Sequence, residues 1–150
     1  MSVQRDHPYN QFNFLVDLGD GDTTGPAAGF QECGGIGVEV QVVEYRNGND
    51  TANQVRKITG LSRHTDITLR RGIIGSLALW QWLDQVRNGN QGATRTVAIH
   101  LQSEDHSSVV QSWKLLRARP VKYVTGPLSA KGTDVALEAL TLAYERLEIE

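Results

Sequence analysis

The chain has one cysteine, Cys33, among its 150 residues, so it cannot form an internal disulfide bond. This favours folding in a reducing compartment, or one whose redox state does not matter. The sequence also lacks any run of the roughly 20 apolar residues that a membrane-spanning helix needs. Its polar start, residues 1–8, has no apolar segment typical of a secretion signal. We therefore expect synthesis in the cytoplasm, without a cleaved signal peptide or membrane anchor.

An excess of basic residues is missing as well. Lysine and arginine total 15 against 17 aspartate and glutamate, which gives a formal net charge of −2. Proteins that bind nucleic acid generally are usually basic, because neutralising phosphates supplies most of their affinity. With 39% hydrophobic and 21% charged residues, the composition is that of a globular protein. We expect one domain spanning residues 1–150.

Motifs for catalysis and for cofactor or metal binding are absent too. The sequence contains no G-x-S-x-G element, and Cys33 has no catalytic signature around it. The glycine cluster at 34–37 matches neither the P-loop nor the dinucleotide fingerprint. His100 and His106 have no cysteine pair or H-E-x-x-H motif beside them. We predict that the protein is not an enzyme and has no cofactor or metal.

What the sequence does contain is repeated alternation of apolar and polar residues, which is typical of strands. Phe12, Phe14, Val16 and Leu18 share one face of the first candidate. The predicted strands outside the central hairpin are residues 12–18, 66–70, 96–102, 109–116 and 121–124. Pro120 is expected to break the chain between the last two of these strands. Residues 30–37 are interpreted as an irregular connection.

A long β-hairpin is predicted in the middle of the chain, over residues 38–59. Val38, Val40 and Val42 alternate with Glu39 and Gln41. The alternation slips at 42–43, which predicts a β-bulge there, and residues 47–50 have the composition of a turn. We expect the valines to face the core of the subunit and the polar residues to face away from it.

One helix is well supported. Apolar residues recur with helical spacing at Leu79, Trp82, Leu83 and Val86. Ser76 is the predicted N-cap, and residues 88–89 supply a stop signal.

The C-terminal segment is ambiguous on its residues alone. Leu137, Leu140, Tyr144 and Leu147 fit one face of a helix. Residues 135–143 also alternate as a strand does, and tertiary pairing often overrides propensity. Both alternatives stay open at this point.

Several stretches, in order along nearly the whole chain, resemble a known family. They are residues 8–16, 29–36, 42–48, 55–61, 67–72, 79–83, Trp113 with 117–123, and 129–138. Together they resemble the tail tube proteins of contractile-tailed phages, a family that also supplies the inner tubes of phage-like extracellular contractile injection systems.

This resemblance implies a mainly β fold, a sandwich or barrel-like domain with one α-helix, and a strand at the C-terminus. It implies that six copies form a ring and that rings stack into a hollow tube. The partners that it implies are further copies of the chain, a sheath protein, baseplate or tube-initiator proteins, and cargo protein or DNA in the lumen. The location that it implies is a phage tail or a phage-like particle, which can be released from the cell.

The resemblance also gives candidate residues for assembly. Ring formers close their sheets by pairing edge strands between copies, and the hairpin is our candidate for that role. Its ring-interface candidates are Val43, Glu44, Tyr45, Arg46, Arg56 and Lys57. The lumen-facing candidates are Glu39, Gln41, Asp66, Thr68 and Arg70. The arm Ser2–Tyr9 and the loop Gly19–Ala28 are candidates for contacts with the next ring or the sheath.

Two alternatives remain at this stage. A tube-initiator subunit would share the fold and join the tube to a baseplate. A small monomeric β-barrel that binds an apolar ligand would also fit the alternation. The oligomeric state distinguishes the second from a ring former.

Overall fold

The computed structural model describes residues 2–150, which form nine β-strands and one α-helix. The strands are β1 Phe14–Asp17, β2 Glu32–Gly34, β3 Gly37–Tyr45, β4 Arg56–Thr65, β5 Ile67–Gly72, β6 Arg95–Gln102, β7 Val109–Thr125, β8 Leu137–Ala143 and β9 Arg146–Ile149. The helix α1 spans Ala78–Arg87. The predicted fold class, mainly β with one helix, is confirmed.

The strands form a sandwich-like arrangement that does not close into a barrel within the subunit. One layer contains β1, β6, the first half of β7, and β9. The other contains the second half of β7, then β8, β5 and β2. The strand β7 passes from one layer to the other near Arg117, whose φ is 54°.

The prediction that Pro120 interrupts this region is wrong, because β7 continues through it to Thr125. Beyond Ala118, β7 pairs with β8 alone. No strand lies on its other side, so the backbone N–H that proline lacks is not required there for a hydrogen bond. The register also shifts between Pro120 and Lys122. A proline is tolerated at such an edge, and its position marks the bend between the layers.

The hydrophobic core lies between the layers and is closed on one side by the helix. Ile67, Leu69, Leu140 and Leu142 from the second layer are fully buried. Trp82 is 1% exposed, and its indole N–H donates to the carbonyl of Ala93 at 2.8 Å. The predicted helix is therefore confirmed, with its apolar face on the core.

The helix cap differs from the prediction. Leu77 occupies the N-cap position and no side chain caps the helix. Ser76 lies one residue too early, although its hydroxyl accepts a long 3.4 Å bond from the backbone N–H of Ala78. The predicted end is confirmed, since Asn88 is the C-cap and Gly89 follows with a φ of 94°.

The C-terminal segment is a strand, as the family resemblance implies. Residues 137–143 pair with β5 on one side and β7 on the other. Alternate side chains, among them Leu140 and Leu142, enter the core. Elsewhere two boundaries differ from prediction: Phe12 precedes β1 and is 64% exposed, and the connection at 30–37 contains the short strand β2.

The hairpin β3–β4 forms a separate two-stranded sheet that projects from the sandwich. The prediction that Val38, Val40 and Val42 lie in the subunit core is wrong, because their side chains are 56%, 51% and 53% exposed. Alternation predicts which face a residue occupies, but not whether the body of the subunit extends beneath it. Here the chain turns away at Gly35, so the sandwich ends before the valines begin.

The bulge in the hairpin is also displaced from its predicted place. Val40 pairs with Ser62 and Val42 with Thr59, so the single residue Gln41 lies opposite both Gly60 and Leu61. The extra residue therefore belongs to β4, and the slip lies one to two residues before the predicted position at 42–43.

A buried ion pair joins β5 and β8 at the end of the core away from the hairpin. Arg71 and Glu138 are 1% and 5% exposed, and Nε of the arginine donates to Oε1 of the glutamate at 2.6 Å. Arg71 Nη1 also donates to the carbonyl of Ala27 at 2.7 Å. The hydroxyl of Tyr123 donates to the second oxygen of Glu138, which raises the pKa of the phenol. This cluster attaches the loop around Ala27 to the sheet.

Replacing Glu138 by alanine is expected to lower the free energy of unfolding by about 3–5 kcal/mol, because it leaves a buried guanidinium without its counter-charge. Urea unfolding followed by tryptophan fluorescence, at protein concentrations too low for self-association, measures this change. The double variant Arg71→Met with Glu138→Leu is the control, and it should recover most of the loss. A loss of under 1 kcal/mol in Glu138→Ala would contradict the role given to the pair.

Candidate self-association surfaces

The hairpin is attached to the body of the subunit only at its base. The hydroxyl of Tyr144 donates to the carbonyl of Gly37 at 3.1 Å and accepts from the N–H of Gly37 at 3.3 Å. Thr65 Oγ1 donates to the carbonyl of Gly35 at 2.5 Å. Beyond these contacts every residue from Val38 to Arg63 in β3 and β4 is exposed. An isolated two-stranded hairpin is marginally stable in water, so this one needs a partner surface.

The two faces of the hairpin differ in character. Val38 pairs across from His64, whose ring lies 5.4 Å from that of Tyr144 at the end of the core. The valine face therefore lies on the core side of the sheet, although nothing in the subunit covers it. Glu39 and Gln41 alternate with the valines and lie on the opposite face.

The lumen candidates of β5 lie on the outer face of the second layer. Thr68 and Arg70 point away from the core, opposite to the buried Ile67 and Leu69. They line a shallow groove of about 300 Å³ with residues of β7 and β8, including Lys122, Val124, Ala139 and Thr141. Sequence reasoning missed these neighbours, because only the register of β7, β8 and β5 places them beside Thr68.

The other lumen candidates lie on the hairpin and at its base. Glu39 and Gln41 lie on the exposed hairpin face opposite the valines. Asp66 lies at the junction of β4 and β5 and is exposed. The outer face carries mostly small residues, and its charged side chains include Glu32, which pairs across from Arg70, and Lys122.

The ring-interface candidates cluster at the distal half of the hairpin. Glu44 lies opposite Lys57, Tyr45 lies opposite Arg56, and all of the candidates are exposed. Their turn is well ordered, because the guanidinium of Arg46 donates to the carbonyls of Asp50 and Ala52 at 3.0 and 3.2 Å. Arg56 also contacts the Asp50 carboxylate at 3.2 Å. The structure therefore presents these side chains on a defined tip.

Two sheet edges have no partner strand among residues 2–150. One is β2 of the second layer together with β3 of the separate hairpin sheet that follows it in the chain, since β2 pairs only with β5 and β3 only with β4. The other is the second half of β7, which pairs only with β8 over Arg119–Thr125. Unpaired N–H and C=O groups on such edges are templates for pairing with another chain.

The N-terminal arm, a candidate for contacts with the next ring or the sheath, is folded against its own subunit. Arg5 contacts both oxygens of Glu104, at 3.0 and 2.5 Å, and its guanidinium lies 3.7 Å from the ring centre of Tyr9. The backbone N–H of Val3 donates to the carbonyl of Val110 at 2.8 Å. The hydrogen bonds from Arg5 lower the pKa of Glu104 to about 2. The arm is therefore docked on the β6–β7 turn in the isolated subunit.

The loop Gly19–Ala28 is also ordered by its own hydrogen bonds. Asp17 Oδ1 accepts from the N–H groups of Gly19 and Gly21 at 2.9 and 3.0 Å. Asp22 Oδ1 accepts from Thr24 and Gly25 at 3.1 and 2.9 Å. The loop thus presents a fixed surface near the start of α1. No helix within residues 2–150 has the length and apolar character required to cross a membrane.

Similar solved structures include chains of the anti-feeding prophage and of PVC, an extracellular contractile injection system. The chain superposes on the tube-terminating cap of the anti-feeding prophage with a TM-score of 0.84 and 24% identity, covering 100% of this chain and 95% of that one. It also superposes on a chain of the sheath–tube complex of PVC, an extracellular contractile injection system, in its extended state. That match has a TM-score of 0.83 and 25% identity, and covers 97% and 93% of the two chains.

A more distant likeness is to Hcp1 from Flavobacterium johnsoniae, with a TM-score of 0.55 and 12% identity over 91% of this chain and 93% of that one. It shows a shared fold alone. A search of curated protein sequences found no match.

The sequence itself is matched by a family model. That model describes the T4-like virus tail tube protein gp19, and it matches residues 10–148. The match includes both unpaired sheet edges, the projecting hairpin and the outer face described above. Since it covers nearly the whole chain, the protein belongs to the T4-like tail tube protein family.

Proposed function

We propose that this protein is the repeating subunit of the inner tube of a contractile tail or phage-like contractile injection system, with residues 1–150 forming one tube domain. Six copies close into a ring, and rings stack into a hollow tube through which cargo passes. The observation that carries the proposal is the hairpin β3–β4, an exposed apolar element without support from its own subunit, in a member of the tail tube family.

Ring closure uses the two unpaired sheet edges. The β2–β3 edge of one copy pairs with the β7 edge of the next, and repetition of this heterologous contact closes a ring. Closure removes every free edge of the inner sheet. The valine face of the hairpin then packs on the neighbouring subunit. Burying the exposed halves of Val38, Val40 and Val42 contributes about 2–4 kcal/mol for each contact.

The outer face of the second layer becomes the wall of the lumen. Glu39, Gln41, Asp66, Thr68 and Arg70 contribute to this wall, together with Lys122 and Thr141. The charges of both signs on this wall create no strong field of one sign, so cargo protein or DNA can slide along the wall without being held. This role is mechanical and requires no catalytic group.

The partners that we infer outside the ring are those found in the assemblies of similar proteins. The PVC chain comes from a sheath–tube complex, and another similar structure is the baseplate of the anti-feeding prophage with six-fold symmetry imposed. We infer that the present protein is likewise enclosed by a sheath, begins at a baseplate, and ends up in a phage tail or a phage-like particle. The six-fold symmetry of that baseplate supports a ring of six.

The alternatives have less support. A tube initiator shares the fold, but no inserted segment for attachment to a baseplate interrupts the elements of this chain. A monomeric ligand-binding barrel requires a closed sheet around a cavity, whereas the layers here leave open edges and shallow grooves. A repeating tube subunit, by contrast, uses both the unpaired edges along β2–β3 and β7 and the exposed hairpin.

The variant Val40→Arg is expected to prevent ring formation while leaving the subunit folded, because it places a charge in the buried part of the contact. Sedimentation velocity reports the loss of rings, and circular dichroism reports the fold. Val109→Arg is a matched control, since Val109 is also an exposed strand valine but lies at the β6–β7 turn. Rings of Val40→Arg as abundant as those of the unmodified protein would sink this assignment of the valine face.

The double variant Glu39→Lys with Gln41→Lys tests the lumen wall. We expect unchanged ring formation in sedimentation velocity, because these side chains face the lumen and not a neighbouring subunit. The added positive charge should increase retention of a short single-stranded DNA inside tubes, measured by co-sedimentation. Loss of rings would instead place Glu39 and Gln41 in a packed interface.

A further inference from the structure

A small cavity of about 50 Å³ lies between the start of α1 and the loop Gly19–Ala28. Its wall includes Arg71, Arg95 and the first two residues of the helix. Arg71 is 1% exposed and Leu79, the second residue of α1, is 2% exposed, so the inner wall is removed from solvent. Since a cavity of about 10–15 Å³ can hold a water molecule, this one has room for a somewhat larger ion, such as chloride.

The guanidinium of Arg71 brings an unused donor to this cavity. Its Nε donates to Glu138, and its Nη1 donates to the carbonyl of Ala27, which itself lines the cavity. The remaining nitrogen, Nη2, is buried as well and has no hydrogen-bond partner among residues 2–150. A buried N–H without an acceptor is destabilising, most strongly when it carries charge. This wall of the cavity therefore favours a ligand that accepts hydrogen bonds.

The start of α1 supplies a second donor. The helix has ten residues, and no side chain caps its N-terminus. Within residues 2–150 the backbone N–H of Leu79 has no acceptor, whereas Ala78 has a long bond to Ser76 and Gln81 donates to Leu77. Because Leu79 is buried and lines the cavity, this unused donor lies at the same inner wall as Arg71. The positive end of the helix dipole also favours a negative charge here.

Charges of both signs surround the cavity, but they differ in burial. Arg95 is exposed and lines the cavity, and its guanidinium lies 4.6 Å from the ring centre of Trp82. Asp20 and Asp22 also belong to the wall and are exposed. Each uses one carboxylate oxygen to accept a backbone N–H of its own loop. The unused buried groups at the cavity are thus N–H donors, and the carboxylates lie on its exposed side.

We propose that this cavity binds a small monovalent anion of the chloride class. Nη2 of Arg71 and the N–H of Leu79 hold the ion on the buried side, and the guanidinium of Arg95 lies nearer solvent. The ion contributes the acceptor that both buried donors lack. It connects α1, β5 and the loop Gly19–Ala28, so it stabilises the folded subunit. Binding belongs to a single subunit and does not require ring formation.

Thermal unfolding in sodium chloride and in sodium gluconate of the same ionic strength tests the proposal, at protein concentrations too low for self-association. Gluconate is too large for the cavity. For a dissociation constant of about 10 mM, about 300 mM chloride should raise the melting temperature by about 4–8 °C relative to gluconate. Sodium bromide should act as chloride does. Equal melting temperatures in chloride and gluconate would overturn the proposal.

Substitution of the two arginines locates the ion. The double variant Arg71→Met with Glu138→Leu removes Nη2 without leaving an unpaired charge, so it should abolish the difference between chloride and gluconate. Arg95→Gln should reduce that difference. The matched control is Arg117→Gln, because Arg117 is an exposed arginine that does not line the cavity. A full chloride effect in either the double variant or Arg95→Gln would contradict the assignment of the site.

Chloride NMR measures the bound ion directly, because chloride that exchanges with a protein site has a broadened resonance. We expect excess line width with the unmodified protein, and its loss when bromide displaces chloride. Asp20→Asn keeps the oxygen that accepts from Asp22 but removes a negative charge near the ion, so it should raise the affinity for chloride about threefold. No excess line width, or a weaker affinity in Asp20→Asn, would count against an anion in this cavity.

Discussion

The close approach of Gly35 to Asp66 determines the shape of the whole subunit. A Cβ at position 35 would lie 2.6 Å from the carbonyl oxygen of Asp66, and the φ of Gly35 is +94°, so a side chain has neither space nor a relaxed backbone there. At this point the chain leaves the sandwich: β3 continues beyond β2, and β4 beyond β5, as a separate two-stranded sheet. The hairpin consequently leaves its own core, and its apolar residues require cover from another molecule.

The opposite end of the sheet is fixed by a different interaction. The buried pair Arg71–Glu138 holds the loop around Ala27 at the end of β5. The subunit therefore has a rigid body with a projecting element at one end and a set of ordered loops at the other. A body with two different ends and two different sheet edges has the asymmetry that rings and stacks of rings require.

Period-two alternation was sufficient to predict the strands around Ile67, Ile99 and Leu115, and helical spacing predicted α1. It failed where the outcome depends on what lies beneath a strand. The valines of β3 have the pattern of core residues, but the turn at Gly35 removes the core from under them. Pro120 has the pattern of a break, yet a one-sided pairing with β8 tolerates it. The neighbours of Thr68 on the outer face, Lys122 and Thr141, depend on inter-strand register, which composition does not encode.

The central claim is that the unpaired edges of one subunit are completed by another copy. Cryo-electron microscopy of the purified protein at high concentration tests it most directly. The account predicts six-fold rings in which β3 of each subunit hydrogen-bonds to β7 of its neighbour, with Thr68 and Arg70 facing the lumen. Monomers at every concentration, or rings that leave both edges in solvent, would contradict it.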